Sequence, residues 1–279
     1  MEINFDKVNY TYNKNTISSK KALIDIETTF EDKKIHGLTG SSGSGKTTMV
    51  ELINALKLPE EGSVKIGSKV LSNTEKNIKA LRADIGLVFQ FPEQQFFLNT
   101  VEKEIEHIMK VFNKIKKDPE KHIKDALLMV GLDESYLKRN PLSLSSGEMR
   151  KVAIASVLAF NPKIIILDEP FICLDEKSKD SLLKIIKMLK NRYNKTIIIV
   201  STDTDLLHRI CDNIVVLYKG KIVLKGNKYE VFTKDIEKYG LKKPKIIQFE
   251  QLVLKEKKVR LGYRDDINDL MKDIYRNVK

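Results

Sequence analysis

Apolar and polar positions change period several times along the chain, and each change predicts an element. They alternate from Ile3 to Tyr12 and again from Ala22 to Phe30, the period of half-buried strands. A short apolar run from Ile35 to Leu38 ends at Gly40, and helical spacing takes over from Lys46 to Leu56. Ile85 to Phe89 reads as another buried strand. From Val101 to Arg139 apolar residues recur three and four apart (Ile105, Ile108, Met109, Phe112), which predicts helix. Gly147 to Ala159 predicts a further helix, and Ile164 to Leu167 a strand after Pro162. Then follow a helix from Ser178 to Leu189, a strand from Thr196 to Val200, and a hairpin turn at Lys219-Gly220.

Strands and helices in this alternation predict an α/β fold around a mainly parallel sheet. The helical insert, about residues 91–145, reads as a lobe of its own. After Asn227 the pattern changes to charged helical pieces with lysine pairs, ending in an amphipathic stretch from Ile267 to Val278. The chain thus divides into residues 1–227 and a small accessory domain, 228–279, with an interaction role. There is no internal repeat.

The 279 residues are 42% hydrophobic, enough to bury a core, and contain no run of eighteen uncharged apolar residues. No membrane-spanning helix is therefore expected. The opening MEINFDKVNY lacks the cationic-then-apolar pattern of a leader. Cys173 and Cys211 give no disulfide framework and suit a reducing cytosol. A net charge of +12 fits either nucleic acid or an acidic membrane surface. Lysine is spread throughout, and no basic stretch is interleaved with stacking aromatics, so no nucleic-acid partner is expected.

Two motifs carry chemistry. Gly40, Ser41, Ser42, Gly43, Ser44, Gly45, Lys46 and Thr47 match GxxxxGK[ST], with a strand before and a helix after. Glycines let the backbone N–H groups wrap closely around phosphates, and the helix that continues through Thr48 turns its positive end to the same anion. Lys46 supplies a point charge, and the Thr47 hydroxyl is a magnesium ligand. The second motif is the strand Ile164 to Leu167 followed by Asp168 and Glu169. Asp168 is placed to hold magnesium, and Glu169 to polarise the water that attacks the γ-phosphate.

A third segment, Leu144-Ser145-Ser146-Gly147-Glu148 before a helix, resembles the LSGGQ signature of ATP-binding cassette (ABC) proteins. Gln90 after a buried strand, Leu174-Asp175 behind the acidic pair, and Tyr12 upstream agree with that family in order and spacing. The resemblance spans roughly residues 2–225. It implies a P-loop NTPase cassette with an antiparallel β portion, a helical lobe and a small C-terminal domain. It also implies that Tyr12, or alternatively Tyr10, stacks on adenine, and that Gln90 senses magnesium and water. Ser145, Ser146, Gly147 and Glu148 would then close over the ATP of a second cassette. The stretch Val88 to Phe97 with Thr100-Val101, and the run Leu144 to Ala155, are similar to those of energy-coupling factor ATPases. Such ATPases pair on a transmembrane coupling subunit, beside a substrate-binding membrane subunit for a vitamin or metal ion. The apolar corner Pro92 to Phe97 would be their docking cradle. The implied setting is the cytoplasmic side of a cell membrane, with ATP and Mg2+ as ligands.

The sequence departs from that family in places. Ser146 and Glu148 stand where the signature has glycine and glutamine, and Glu148 brings negative charge towards phosphate. Thr202 stands where the family places a histidine that contacts the γ-phosphate, which implies slow hydrolysis at this chain's own site and a non-identical partner. His208 reads as a surface or packing residue, and Cys173 as packing. The rival readings are a soluble ABC ATPase acting on ribosomes or nucleic acid, and a chiefly regulatory nucleotide-binding subunit.

Overall fold

Alternating apolar positions become strands because each can bury one face, and the computed structural model shows where those faces meet. It describes residues 1–72, 74–112, 118–259, 261–265, 270–272 and 274–275. The predicted amphipathic stretch Ile267 to Val278 lies largely outside them. Strands β1 (Ile3–Tyr12), β2 (Lys20–Phe30), β4 (Glu61–Ile66) and β5 (Lys69–Val70) form an antiparallel sheet in the order β2-β1-β4-β5. The larger sheet runs β10-β9-β3-β8-β7-β6, from β3 (Ile35–Gly40), β6 (Ile85–Val88), β7 (Ile164–Asp168), β8 (Thr196–Val200), β9 (Asn213–Tyr218) and β10 (Lys221–Asn227). Five of its strands are parallel, and β10 closes one edge antiparallel, as the hairpin turn predicts.

The central strands are buried on both faces, which is why they read as unbroken apolar runs. Successive side chains still point to opposite sides. Ile165, Leu167, Ile197 and Ile199 face a helical layer, whereas Ile164, Ile166, Ile198 and Val200 face the antiparallel sheet. Two apolar cores result, one on each face of the sheet. Each fully buried Ile or Leu contributes about 1.5–3 kcal/mol relative to exposure.

The sheet-to-sheet core also takes in α1 (Lys46–Ile53), while α2 (Glu75–Arg82) lies beside it. The other core gathers α3 (Val101–Val111), α4 (Pro119–Met129), α5 (Ser146–Ala159), α6 (Glu176–Tyr193) and α7 (Thr204–Ile210). It continues into the tail, through Val231 and Phe232 of α8 (Lys228–Phe232), then Ile236, Leu241 and Ile247 of α9 (Lys245–Lys257). Phe249, Leu252 and Leu254 of α9 remain exposed. Among the described residues no helix is long and apolar enough to cross a membrane.

Three boundaries differ from the sequence reading. Helix α1 stops at Ile53, three residues before Leu56, because Ala55 takes a left-handed φ of 54°. Helix α6 runs longer than Ser178 to Leu189: Asp175 caps its start by accepting the Ser178 N–H, and Asn194, at φ 51°, ends it. Helix α5 begins one residue early, at Ser146, because Ser145 is its cap.

Because β3, β8, β7 and β6 run in parallel, their carboxyl ends open on the same edge. That edge is where open α/β sheets hold ligands.

Candidate active site

Strand β3 is buried throughout and ends at Gly40, where the chain turns sharply at φ 151°. A Cβ on Gly40 would lie 2.1 Å from the Leu217 carbonyl oxygen, and one on Gly45 (φ 111°) 2.6 Å from that of Ala22. Both positions exclude any side chain, so the loop lies tight against β9 and β2. Lys46 opens α1 and folds back over the loop, its Nζ donating to the carbonyls of Gly40 at 2.8 Å and Ser41 at 3.0 Å. Burial lowers the Lys46 pKa, while the charges of Glu169 and Asp168 act to raise it. Ser41 also accepts the Ser44 N–H, Ser42 and Thr47 are exposed, and the buried Ser44 hydroxyl has no hydrogen-bond partner. A cavity of about 170 Å³ lies here, lined by Tyr12, Lys20, Ala22 and the residues from Gly43 to Thr48.

Of the two tyrosines, Tyr12 lines that cavity. Its hydroxyl lies 3.0 Å from Thr48 Oγ1 and donates to Glu51 at 2.9 Å, while Lys57 Nζ lies 4.7 Å from the ring centre. Lys57 does not line the cavity, so its ammonium holds the ring from outside. Lys20 and Lys57 are additions to the sequence reading. The first could have been found as the strand partner of Tyr12 across β1 and β2; the second leaves no local signal.

Strand β7 delivers Asp168 at its end and Glu169 just past it. Burial, and then the Glu169 charge, push the Asp168 carboxyl above its usual range, against Lys46 and Arg150. Glu169 adopts a left-handed φ of 43°. Its carboxylate accepts the Ser201 hydroxyl at 2.9 Å and the Thr202 N–H at 3.0 Å. Thr202 itself is exposed and reaches Glu169 through its backbone. Gln90 follows β6, and its carbonyl accepts Arg150 Nη1 at 2.8 Å, as the Phe89 carbonyl does at 3.0 Å. With Ser146, Arg150 and Cys173, Gln90 lines a separate cavity of about 280 Å³. Arg150 was not singled out from sequence; an arginine on the apolar face of a helix was the available signal.

Ser145, Ser146, Gly147 and Glu148 form the start of α5, and none of them lines the cavity at the phosphate loop. Ser145 and Glu148 make a reciprocal capping box. The Ser145 hydroxyl donates to Glu148 at 2.7 Å, and the Tyr136 hydroxyl donates to the same carboxylate at 2.6 Å. Those donors, Tyr136 first, hold the Glu148 pKa down at about 2, so it is charged at neutral pH. The Glu148 charge is thus held by hydrogen-bond donors of its own chain. Cys173, expected to pack, is instead exposed, with its carbonyl accepting the Ser146 hydroxyl at 3.3 Å. His208 is buried beside Tyr229 and Phe232.

A family model described as ABC transporter matches residues 23–172. The energy-coupling factor transporter ATP-binding protein EcfA2 of Enterococcus faecalis is 40% identical over 260 residues, covering 91% of this chain and 90% of that protein. The chain belongs to the ABC transporter ATPases, among the energy-coupling factor ATP-binding proteins. EcfA2 of Staphylococcus aureus is also 40% identical, over 256 residues, with 90% of this chain and 89% of that protein covered. Among solved structures, cbiO1 from Clostridium perfringens, part of the ABC transporter complex cbiONQ, is similar at a TM-score of 0.76. It is 30% identical, with 89% of this chain and 98% of that chain covered. The dimeric ATP-binding cassette MJ0796 bound to ADP and Pi is similar at 0.73, with 28% identity over 81% of this chain and 98% of that one. The α/β P-loop cassette with its antiparallel β subdomain is the fold of this family, and ATP hydrolysis coupled to transport is its activity.

Proposed function

We propose that this chain powers uptake of a vitamin or a metal ion through separate membrane subunits, paired with a second, non-identical cassette at the cytoplasmic side of the cell membrane. The observation that carries the pairing is the division of the site. The phosphate loop and Tyr12 line one cavity, and the signature residues at the start of α5 lie outside it. A signature that does not cover its own ATP is available to cover a partner's. Ser145 and the N–H groups of Ser146 and Gly147 would then meet the γ-phosphate of the partner's ATP at a helix N-terminus.

Within the chain's own site, Tyr12 stacks on adenine, and the loop from Gly40 to Thr48 cradles the phosphates with Lys46 as counter-charge. Glu169 accepts a proton from the attacking water. Thr47, Asp168 and Gln90 offer only oxygen donors, and the carboxyl of Asp168 sits where burial disfavours its charge without a cation. That set fits a hard cation such as Mg2+, which would supply charge neutralisation for the phosphates. Residues 1–227 serve as the cassette and 228–279 as an accessory pairing element, with exposed Phe249, Leu252 and Leu254 as its contact side. Phe91 and Phe97, also exposed, suit docking of the membrane subunit.

The first experiment is capture of the tagged chain from its native membranes. A second cassette and a polytopic membrane protein are expected to co-purify; ribosomes or nucleic acid in their place would count against the proposal. In that complex, with the partner's phosphate-loop lysine replaced so that only this chain's site turns over, Thr202→His is expected to raise the ATPase rate. The imidazole restores a second polar end that threonine lacks. An unchanged or lower rate would show that position 202 does not limit hydrolysis.

A further inference from the structure

Strands β7 and β8 are parallel neighbours with Leu167 beside Ile199 and Asp168 beside Val200. The next residue on each strand brings Glu169 against Ser201. The Glu169 N–H donates to the Val200 carbonyl at 2.8 Å, which fixes the backbone of one against the other. Each carboxylate oxygen then has its own donor: Oε2 the Ser201 hydroxyl at 2.9 Å, Oε1 the Thr202 N–H at 3.0 Å.

Ser201 is itself held firmly. It is 1% exposed, and its N–H donates to the Leu38 carbonyl of β3 at 3.2 Å. Its Oγ accepts the Asp203 N–H at 3.1 Å. With that lone pair engaged, the hydroxyl hydrogen is directed at Glu169. The serine thus connects the strand that leads into the phosphate loop to the carboxylate at the end of β7.

We propose that Ser201 is a positioning residue for Glu169, and that the serine hydroxyl together with the backbone of residue 202 aligns this carboxylate. The inference rests on the reading of Glu169 as the group that takes the proton from water. A free glutamate side chain samples several rotamers, and a base misplaced by about 1 Å costs on the order of 10²-fold in rate. Two donors on two oxygens fix both its position and the orientation of its lone pairs. One donor comes from a backbone that any residue at 202 supplies. The other exists only because 201 carries a hydroxyl.

The test uses the captured complex in which only this chain's site turns over. Ser201→Ala removes a hydrogen bond to a charged acceptor and is expected to lower kcat by about 10- to 100-fold. The KM for ATP should stay within about twofold, since the lost contact acts on the base and not on the nucleotide. Ser201→Thr, which keeps the hydroxyl, should recover the rate. In a Glu169→Gln background, Ser201→Ala should leave the residual rate within about twofold, because residues acting as a unit are not additive.

An unchanged or faster Ser201→Ala enzyme would overturn the proposal, the faster one showing that the serine restrains the carboxylate. A KM that rises as kcat falls, a threonine variant as slow as the alanine one, or an equal further loss in the Glu169→Gln background would also overturn it. Each of these marks a merely structural role. If the alanine variant fails to fold, Ser201→Cys, of similar size and a weaker donor, carries the same readouts. Glu169→Gln alone separates the two possible failures. Wild-type turnover in that variant removes the base reading, whereas a slow Glu169→Gln beside a fast Ser201→Ala removes only the positioning role.

Discussion

Replacing Glu169 by Gln is expected to cut ATP turnover at this chain's site by about 10²- to 10⁴-fold while ATP still binds. The carboxamide keeps the size and planarity of the side chain but cannot take a proton. Several features argue that this carboxylate is placed for chemistry. It stands at the carboxyl end of β7, past Asp168, on the sheet edge that also carries the phosphate loop. Its φ of 43° is a conformation that costs a non-glycine residue free energy, and such strain concentrates at functional positions. Its charge reaches Lys46 in the loop. Initial rates and an equilibrium ATP titration on the same preparation check the expectation. Turnover within threefold of wild type would require another base.

Lys46→Ala is expected to act at the earlier step and weaken ATP binding by about 10- to 100-fold, the loss of a charge-assisted contact of roughly 1.5–3 kcal/mol. The ammonium holds the carbonyls of Gly40 and Ser41, with the charges of Glu169 and Asp168 opposing the fall that burial imposes on its pKa. Removing it takes from the phosphate loop the cation that offsets Asp168 and Glu169 against an incoming polyanion. Affinity should therefore fall further at low salt than at high salt, because repulsion between separated charges is screened. Nucleotide titration at two ionic strengths, with thermal melting to establish that the fold persists, reads both effects. Binding within threefold of wild type would mean that the backbone N–H groups carry the phosphates alone.

The parts of the site that were legible in the sequence are those made by one continuous stretch. The phosphate loop is a strand, a turn and a helix start, and its three glycines supply the positive φ angles of that turn. The acidic pair is likewise an apolar strand and the two residues that end it. Contacts across the sheet were not legible. Ser201 meets Glu169 only because β7 and β8 are neighbours, and nothing in either strand names its neighbour. Arg150 reaches the carbonyls of Phe89 and Gln90 from another helix, and Lys57 finds the Tyr12 ring across α1 and the turn after it. Helix ends failed for a related reason. Apolar spacing continues to Leu56, but the left-handed Ala55 ends the helix regardless of periodicity. The tail read as a departure in composition, while its apolar residues Val231, Phe232 and Ile247 join the core of the cassette.

The capping box at the start of α5 bears on how a closed pair of cassettes would come apart. Ser145 already spends its hydrogen on Glu148, and Tyr136 steadies the same carboxylate. A phosphate arriving from a partner would therefore exchange one anionic acceptor for another, with little net gain from the serine itself. Most of the grip would come from the N–H groups of Ser146 and Gly147, which lose their anion when the phosphate leaves. The serine then has Glu148 to return to. Opening after hydrolysis therefore leaves no serine hydroxyl without an acceptor, and this contact adds little to the barrier against separation.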